Sequence, residues 1–324
     1  MVECFMTTED GTATNKIETP QPGCWINVVN PSPQEATWLE QEVGIAPEFV
    51  RSALDEEETS HIDYDEDVNQ TLVIVDYPSA EDVEDMQDPS MLQYTTLPIS
   101  IIFLRNRSII VTVSLQESPI VQDMTNGRVR QVNTRMRTRF LLQMLLRISQ
   151  SYLVCLRRID RLSTKTEQRL YGSKRNEELL QMLSLEKSLV YFSTSLKSAE
   201  VTLNKIMQGH MITLYEEDQE LMDDVMIEVH QAQEMCNIYN NILSGTMDAY
   251  ASVISNNLNI VMKVLTVITI VMAIPNIVFG FYGMNVHLPF EGIPLIDSWM
   301  FPTLLAAIAC AIAAWIFKRM GLWG

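Results

Sequence analysis

An uncharged run of 18 residues, Val264 to Phe281, ends in Tyr282-Gly283-Met284-Asn285. The Asn285 amide and the backbone carbonyls around Gly283 and Met284 put neutral oxygens where that run stops. Such oxygens can hold a small hydrated cation through its water shell without stripping it. Gly283 lets the backbone turn at a helix end, and repetition about a symmetry axis would close these oxygens into a ring. A plain helix cap and turn is the competing reading of the same residues.

Polar side chains continue back from that point. Asn259, Met262, Thr266, Thr269, Ala273, Asn276 and Gly280 follow one another in steps of 3, 4, 3, 4, 3 and 4, which places them along one helical face. An Asn facing lipid is costly, whereas in a bundle interior or a wet channel its amide finds partners. That row therefore reads as the lining of a pore. Met262 and Leu265 lie close enough to it to form a hydrophobic constriction that gates by dewetting, with simple helix packing as the alternative.

Two acidic clusters form the third group. Glu216, Glu217, Asp218, Glu220, Asp223 and Asp224 stand together, as do Glu81, Asp82, Glu84, Asp85 and Asp88. Read from the residues, such clusters make solvated surface with favourable charge at a helix start. His61, His210, His230 and His287 show no ligand spacing, and the five cysteines show no Cys-X-X-Cys pattern. Soft-metal binding and a disulfide framework have no support. Neither has an enzyme, for no nucleophile-base pair, phosphate loop or hydrolase motif is present.

The elements that position these residues can be read from charge and proline. The 324 residues carry 41 acids against 23 bases, net -18, which opposes a broad grip on nucleic acid. Residues 1–119 hold 23 acids and 4 bases, 120–205 hold 7 and 16, 206–257 hold 9 and none, and 258–324 hold 2 and 3. Val264–Phe281 and Trp299–Phe317 are each long enough to cross a hydrocarbon core of about 30 Å. The second, rich in alanine from Ala306 to Ala314, reads as lipid-facing packing rather than a permeation surface. Lys263 before the first and Lys318-Arg319 after the second, with no base between, put both termini in the cytosol. No signal peptide is expected at the polar N-terminus. Nine prolines fall between Pro20 and Pro119, then none until Pro275, so the middle of the chain can sustain long helices. Breaks are expected near Tyr171-Gly172-Ser173 and Gly209-His210, with Asn176 capping a helix from Glu177. Thr213 and Glu216 have capping-box spacing and predict a third helix, from about 214 to Phe281 and roughly 100 Å long. The basic stretch Arg128–Arg175, interleaved with Phe140, Leu141, Leu145 and Leu146, reads as an amphipathic packing helix. Residues 1–119 instead show β-rich runs at Trp25–Val29, Thr71–Tyr77, Ile99–Leu104 and Ile109–Ser114, with helix starts at Ser32-Pro33 and Pro47.

With Asn259-Ile-Val-Met262-Lys263-Val-Leu265-Thr266, Pro275 and Gly280 upstream of Tyr282-Gly-Met-Asn285, the chain resembles the CorA family of magnesium channels and transporters. The resemblance implies an α+β cytosolic domain of α/β/α sandwich type, long stalk helices and two C-terminal membrane helices, assembled as a homopentameric funnel in the plasma (cell inner) membrane. The division then expected is a cytosolic α/β domain over 1–119 and antiparallel cytosolic helices over 120–213. A stalk helix over 214–281 runs into the first membrane helix (about 262–282). An extracellular loop over 283–298, a second membrane helix over 299–318 and a cytosolic tail over 319–324 complete it. It implies import of hydrated Mg2+, with Co2+ or Ni2+ as related cargo, through a filter of Gly283, Met284 and Asn285. It also implies closure by cytosolic Mg2+ held between subunits. Asp224, 61 residues before Asn285, matches the family's long-helix ligand, with Asp223 and Glu220 beside it and Asp82, Asp85 or Asp88 as its partner. After Asn285 the sequence departs from the Met-Pro-Glu-Leu run of many members, leaving Glu291 and Asp297 to concentrate cations at the mouth. Two other readings stay open: a zinc transporter of the related ZntB type, and a membrane-anchored cytosolic sensor.

Overall fold

The computed structural model of the chain describes residues 1–9, 11, 13–80, 92–129, 131–170, 177–209, 211–284 and 299–321. It divides into two units, Met1–Thr246 and Met247–Gly324.

The first unit is built on seven strands: β1 (Val2–Thr7), β2 (Thr14–Ile17), β3 (Trp25–Val29), β4 (His61–Asp65), β5 (Gln70–Ala80), β6 (Tyr94–Leu104) and β7 (Ile109–Ser114). Their order across the sheet is β2-β1-β3-β7-β6-β5-β4, and β3 and β7 run parallel in an otherwise antiparallel sheet. Leu104 pairs with Ile109, so the Arg105–Arg107 hairpin forms as the sequence predicts.

Both faces of the sheet are covered. On one lie α1 (Pro33–Trp38), which runs on through a π-type turn at Leu39–Val43, and α2 (Pro47–Ala53). Ser32 caps α1 with a complete capping box to Glu35, and Pro33 pre-sets its first turn. Ile26, Val28, Leu72, Ile74, Ile102, Leu104, Val111 and Val113 meet Leu39, Ile45, Phe49 and Val50 in one buried cluster. The strand period of two sends alternate residues to the other face. There Trp25 lies between Phe5 and Phe140, with ring centroids 5.1 and 5.0 Å away. Its indole donates to Thr112 Oγ1 at 2.8 Å, so this large buried side chain leaves no orphan polar atom.

After the short α3 (Pro119–Thr125), the long helices α4 (Arg137–Leu170) and α5 (Glu177–Met207) cover that second face. Phe140, Leu141 and Leu145 are buried there, as an amphipathic packing helix requires. Tyr152 and Phe192 meet edge to face at 5.1 Å, and the Tyr152 hydroxyl donates to the Asp76 carbonyl at 3.1 Å. The unit is an α/β/α sandwich, and burial of each such aromatic stabilises it by roughly 1.5–3 kcal/mol.

The third long helix, α6 (Gln219–Tyr282), starts later than the sequence predicts. The Thr213 carbonyl accepts from Thr138 Oγ1 at 2.9 Å, and Tyr215 is extended (φ -92°, ψ 156°) ahead of a 3-10 turn at Glu216–Asp218 with no side-chain cap. The Thr213 capping box is therefore not formed, because its hydroxyl precedes an extended residue rather than a helical turn. Up to Thr246, α6 buries Met222, Val225, Val229, Ala232, Cys236 and Leu243. Gln233 donates to the Leu196 carbonyl at 3.1 Å and Ser244 to Glu186 at 2.9 Å, tying it antiparallel to α5. Gly209 (φ 73°) supplies the left-handed turn between them.

The second unit holds the remainder of α6 and α7 (Met300–Arg319). Both helices are long and apolar enough to cross a bilayer, and few of their apolar side chains are buried.

Candidate functional site

In the second unit α7 occupies one side of α6. Val267 is buried and Val271, Ile274, Val278 and Tyr282 are half-buried on that side. The Cys310 sulfur lies 3.6 Å from the Val271 carbonyl, and the Tyr282 and Phe301 rings are 6.2 Å apart. On α7, Ala306 is buried and Ala309, Cys310, Ala313 and Ala314 are half-buried. Ala307 and Ala311 are exposed on α7, as are Leu304, Ile308, Ile312 and Trp315.

The polar row lies elsewhere. At about 100° per residue it sits roughly 150° round α6 from the side that carries α7. Asn259, Met262, Thr266, Thr269, Asn276 and Gly280 are exposed and Ala273 is half-buried. Thr266 and Thr269 return their hydroxyls to the Met262 and Leu265 carbonyls, each at 2.8 Å, so both side chains are satisfied within the helix. Met262 and Leu265 stand 53% and 56% exposed beside the row.

The same face runs further back than the sequence reading took it. Asp248, Ser252 and Ser255 precede Asn259 in steps of 4, 3 and 4, all exposed. Asp248 is a charged residue on this face that sequence reasoning missed. The signal was present, since the period simply continues past the last apolar residue.

At the far end of α6 the Gly283 N–H bonds to the Phe279 carbonyl at 2.8 Å and Met284 N–H to Phe281 at 3.4 Å. A Cβ on Gly283 would stand 3.1 Å from that Phe279 oxygen, so a larger residue would need the carbonyl to shift by a few tenths of an ångström. Asn285, Glu291, Asp297 and His287 lie outside the described residues, as do Asp82, Asp85 and Asp88.

Glu220, Asp223 and Asp224 are exposed at the start of α6. Among the described residues no three His, Cys, Asp or Glu side chains converge on a metal-sized site. Asp218, next to them, is different: burial raises its carboxyl above the usual range, against the pull of Arg139 at 3.7 Å and with Glu217 adding to the rise. Burial also pushes the thiols of Cys155 and Cys236 up to about 11, so neither is a thiolate poised for a soft metal.

An α/β/α unit followed by two apolar C-terminal helices, the first with one polar face, is the architecture of a two-span membrane protein. The family model described as "CorA-like Mg2+ transporter protein" matches residues 21–319, and the chain belongs to that family. The "Cobalt/magnesium transport protein CorA" of Methanocaldococcus jannaschii is 27% identical over 310 residues, 92% of this chain and 90% of that protein. The complete structure of the CorA magnesium transporter from that organism superposes with a TM-score of 0.80 at 23% identity, over 98% of both chains. The ZntB cytoplasmic domain from Vibrio parahaemolyticus matches with a TM-score of 0.60 at 11% identity, over 78% of this chain and 98% of that one, which is a likeness of fold.

Proposed function

We propose that this chain forms a homopentameric channel that imports hydrated Mg2+ across the cell inner membrane, with both termini in the cytosol. The observation that carries this is the polar face of α6, exposed from Asn259 to Gly280 at every member but Ala273 and turned away from α7. One copy has no wall to enclose it. Several copies about an axis would line a water-filled path with Asn and Thr oxygens, leaving α7 to lipid. Gly283, Met284 and Asn285 would ring its outer mouth. Glu291 and Asp297 would gather cations there, and Asp248 would add a charged ring toward the cytosol.

Mg2+ is hard, prefers oxygen and sheds water reluctantly, so neutral oxygens suit it, and the face offers no Cys or His to favour Zn2+. Met262 and Leu265 would narrow the path. Asp224, with Asp223 and Glu220, would share regulatory Mg2+ with Asp82, Asp85 or Asp88 of a neighbouring subunit. Loss of that Mg2+ would leave carboxylates repelling one another and splay the constriction.

Flux into dye-loaded proteoliposomes, with Mg2+ competed by Co2+, Ni2+ and Zn2+ and with or without a pH gradient, tests this reading. Gradient-independent Mg2+ flux is expected. Zinc flux that follows the proton gradient would replace the channel by a coupled zinc transporter, and no cation flux would leave a membrane-anchored sensor.

A further inference from the structure

A cavity of 660 Å³ opens in the α/β unit between the β6–β7 hairpin, the start of α4 and the segment leading into α6. Arg105 comes to it from the hairpin, Arg135 from the turn before α4 and Arg137 and Arg139 from α4, while Glu216, Glu217 and Asp218 come from the lead-in to α6. Two of the guanidiniums are engaged. Arg105 donates to the Met211 carbonyl and sits 5.0 Å over the Tyr64 ring, and Arg139 faces Asp218. The side chains of Arg135, Arg137, Glu216 and Glu217 form no ion pair among the described residues. Beneath the surface, Arg137 Nη1 is buried with no acceptor, and Asp218, only 3% exposed, has Oδ1 buried without a hydrogen bond, 3.7 Å from Arg139.

A cavity with unpaired guanidiniums on one wall and unpaired carboxylates on the other fits a ligand that carries both signs. Guanidinium forks match phosphate oxygens. Mg2+, for its part, is held typically by one or two carboxylates together with a ligand's phosphates. The volume falls within the range of about 300–1,000 Å³ usual for small-molecule sites, well beyond the size of inorganic phosphate. Phe103, Met136, Ile212 and the exposed Tyr215 add apolar and aromatic wall, against which a nucleobase can lie. We propose that this cavity binds a magnesium–nucleotide complex, with its phosphates on Arg135 and Arg137 and its hydrated Mg2+ on Glu216 and Glu217. Because Glu216–Asp218 lead directly into α6, the occupant joins the foot of that helix to α4 and the hairpin. The site stands apart from the pore reading, since binding here requires no conduction.

The test is isothermal titration of the full-length protein in detergent with ATP in excess Mg2+, repeated in EDTA, with tripolyphosphate and adenosine as partial probes. Saturable binding of one ATP per chain is expected, weaker in EDTA, with either partial probe weaker than ATP. Arg137→Gln and the exposed Arg135→Gln should each weaken it about tenfold. Arg135 projects from the surface, so its variant keeps the test valid should Arg137→Gln fold poorly. No saturable binding at millimolar ATP, an affinity unchanged in Arg135→Gln, or an affinity unchanged in EDTA would overturn the proposal.

Discussion

The thiol of Cys310 on α7 lies 3.6 Å from the carbonyl oxygen of Val271 on α6, the acceptor that Pro275 leaves without its helical donor. Proline has no N–H, so the carbonyl four residues before it is orphaned. In a bilayer no water is at hand to satisfy it. Cys310→Ala is therefore expected to destabilise the protein by about 0.5–1.5 kcal/mol, and Cys310→Ser to restore most of the loss. In a Pro275→Ala background, where the backbone donor returns, Cys310→Ala should cost much less. Thermal unfolding in detergent checks the cycle, and equal losses in both backgrounds would refute this pairing.

That contact fixes which side of α6 is covered, and so which side is free to meet water. In a cysteine-free background, Asn276→Cys and Thr269→Cys should react with a membrane-impermeant thiol reagent in proteoliposomes, whereas Val267→Cys should not. Reaction at 267 with protection at 276 would place the path on the wrong side of the helix.

If Met262 and Leu265 close the path by excluding water, polarity there should open it. Leu265→Asn is expected to raise Mg2+ flux under high cytosolic Mg2+, the condition in which the proposed regulation would shut the wild type. A flux no higher than the wild type's in that condition would make these residues packing groups only.

Regulation by the exposed acids predicts a different phenotype. Asp224→Lys should shift the cytosolic Mg2+ concentration that closes the channel while sparing maximal flux. An unchanged dose response would remove Asp224 from the regulatory set.

The buried Asp123 supplies a pH test of the fold. Burial alone would raise its carboxyl, yet hydrogen bonds from Arg147 and from Arg128 (2.9 Å) outweigh it and hold the group below the usual carboxylate range. A value lowered by folding adds stability that is present above the unfolded value of about 3.9 and lost as pH falls through the folded one. Asp123→Asn should cost about 1–3 kcal/mol at neutral pH, and its gap from the wild type should close as pH falls below about 3.9. Unfolding curves across that range would show it, and a gap constant with pH would contradict it.

How far the sequence carries can be seen element by element. The hairpin at Arg105–Arg107, the helix start at Ser32 and the polar row of α6 were legible because each depends on residues a few positions apart, while the expected break at Tyr171–Ser173 and the Asn176 cap lie outside the described residues. β1, β2, β4 and α3 were not. β2 and β4 form the two edges of the sheet, and in β4 only Ile62 is fully buried, so there is little apolar alternation to read. Their order comes from partners distant in the chain. The start of α6 was misread because Thr213 is held by Thr138, 75 residues away. Likewise, no local signal links Cys310 to Pro275 or gathers Arg137 and Asp218 around one cavity. The period of α6 marks a polar face, but which face α7 covers is a matter of packing.

The most direct test of the central claim is Mg2+ flux into dye-loaded proteoliposomes with the wild type beside Asn285→Ala. The ring of neutral oxygens predicts rapid wild-type flux that collapses in the variant while its oligomeric state and thermal stability are kept. Wild-type flux retained in full by Asn285→Ala would contradict it.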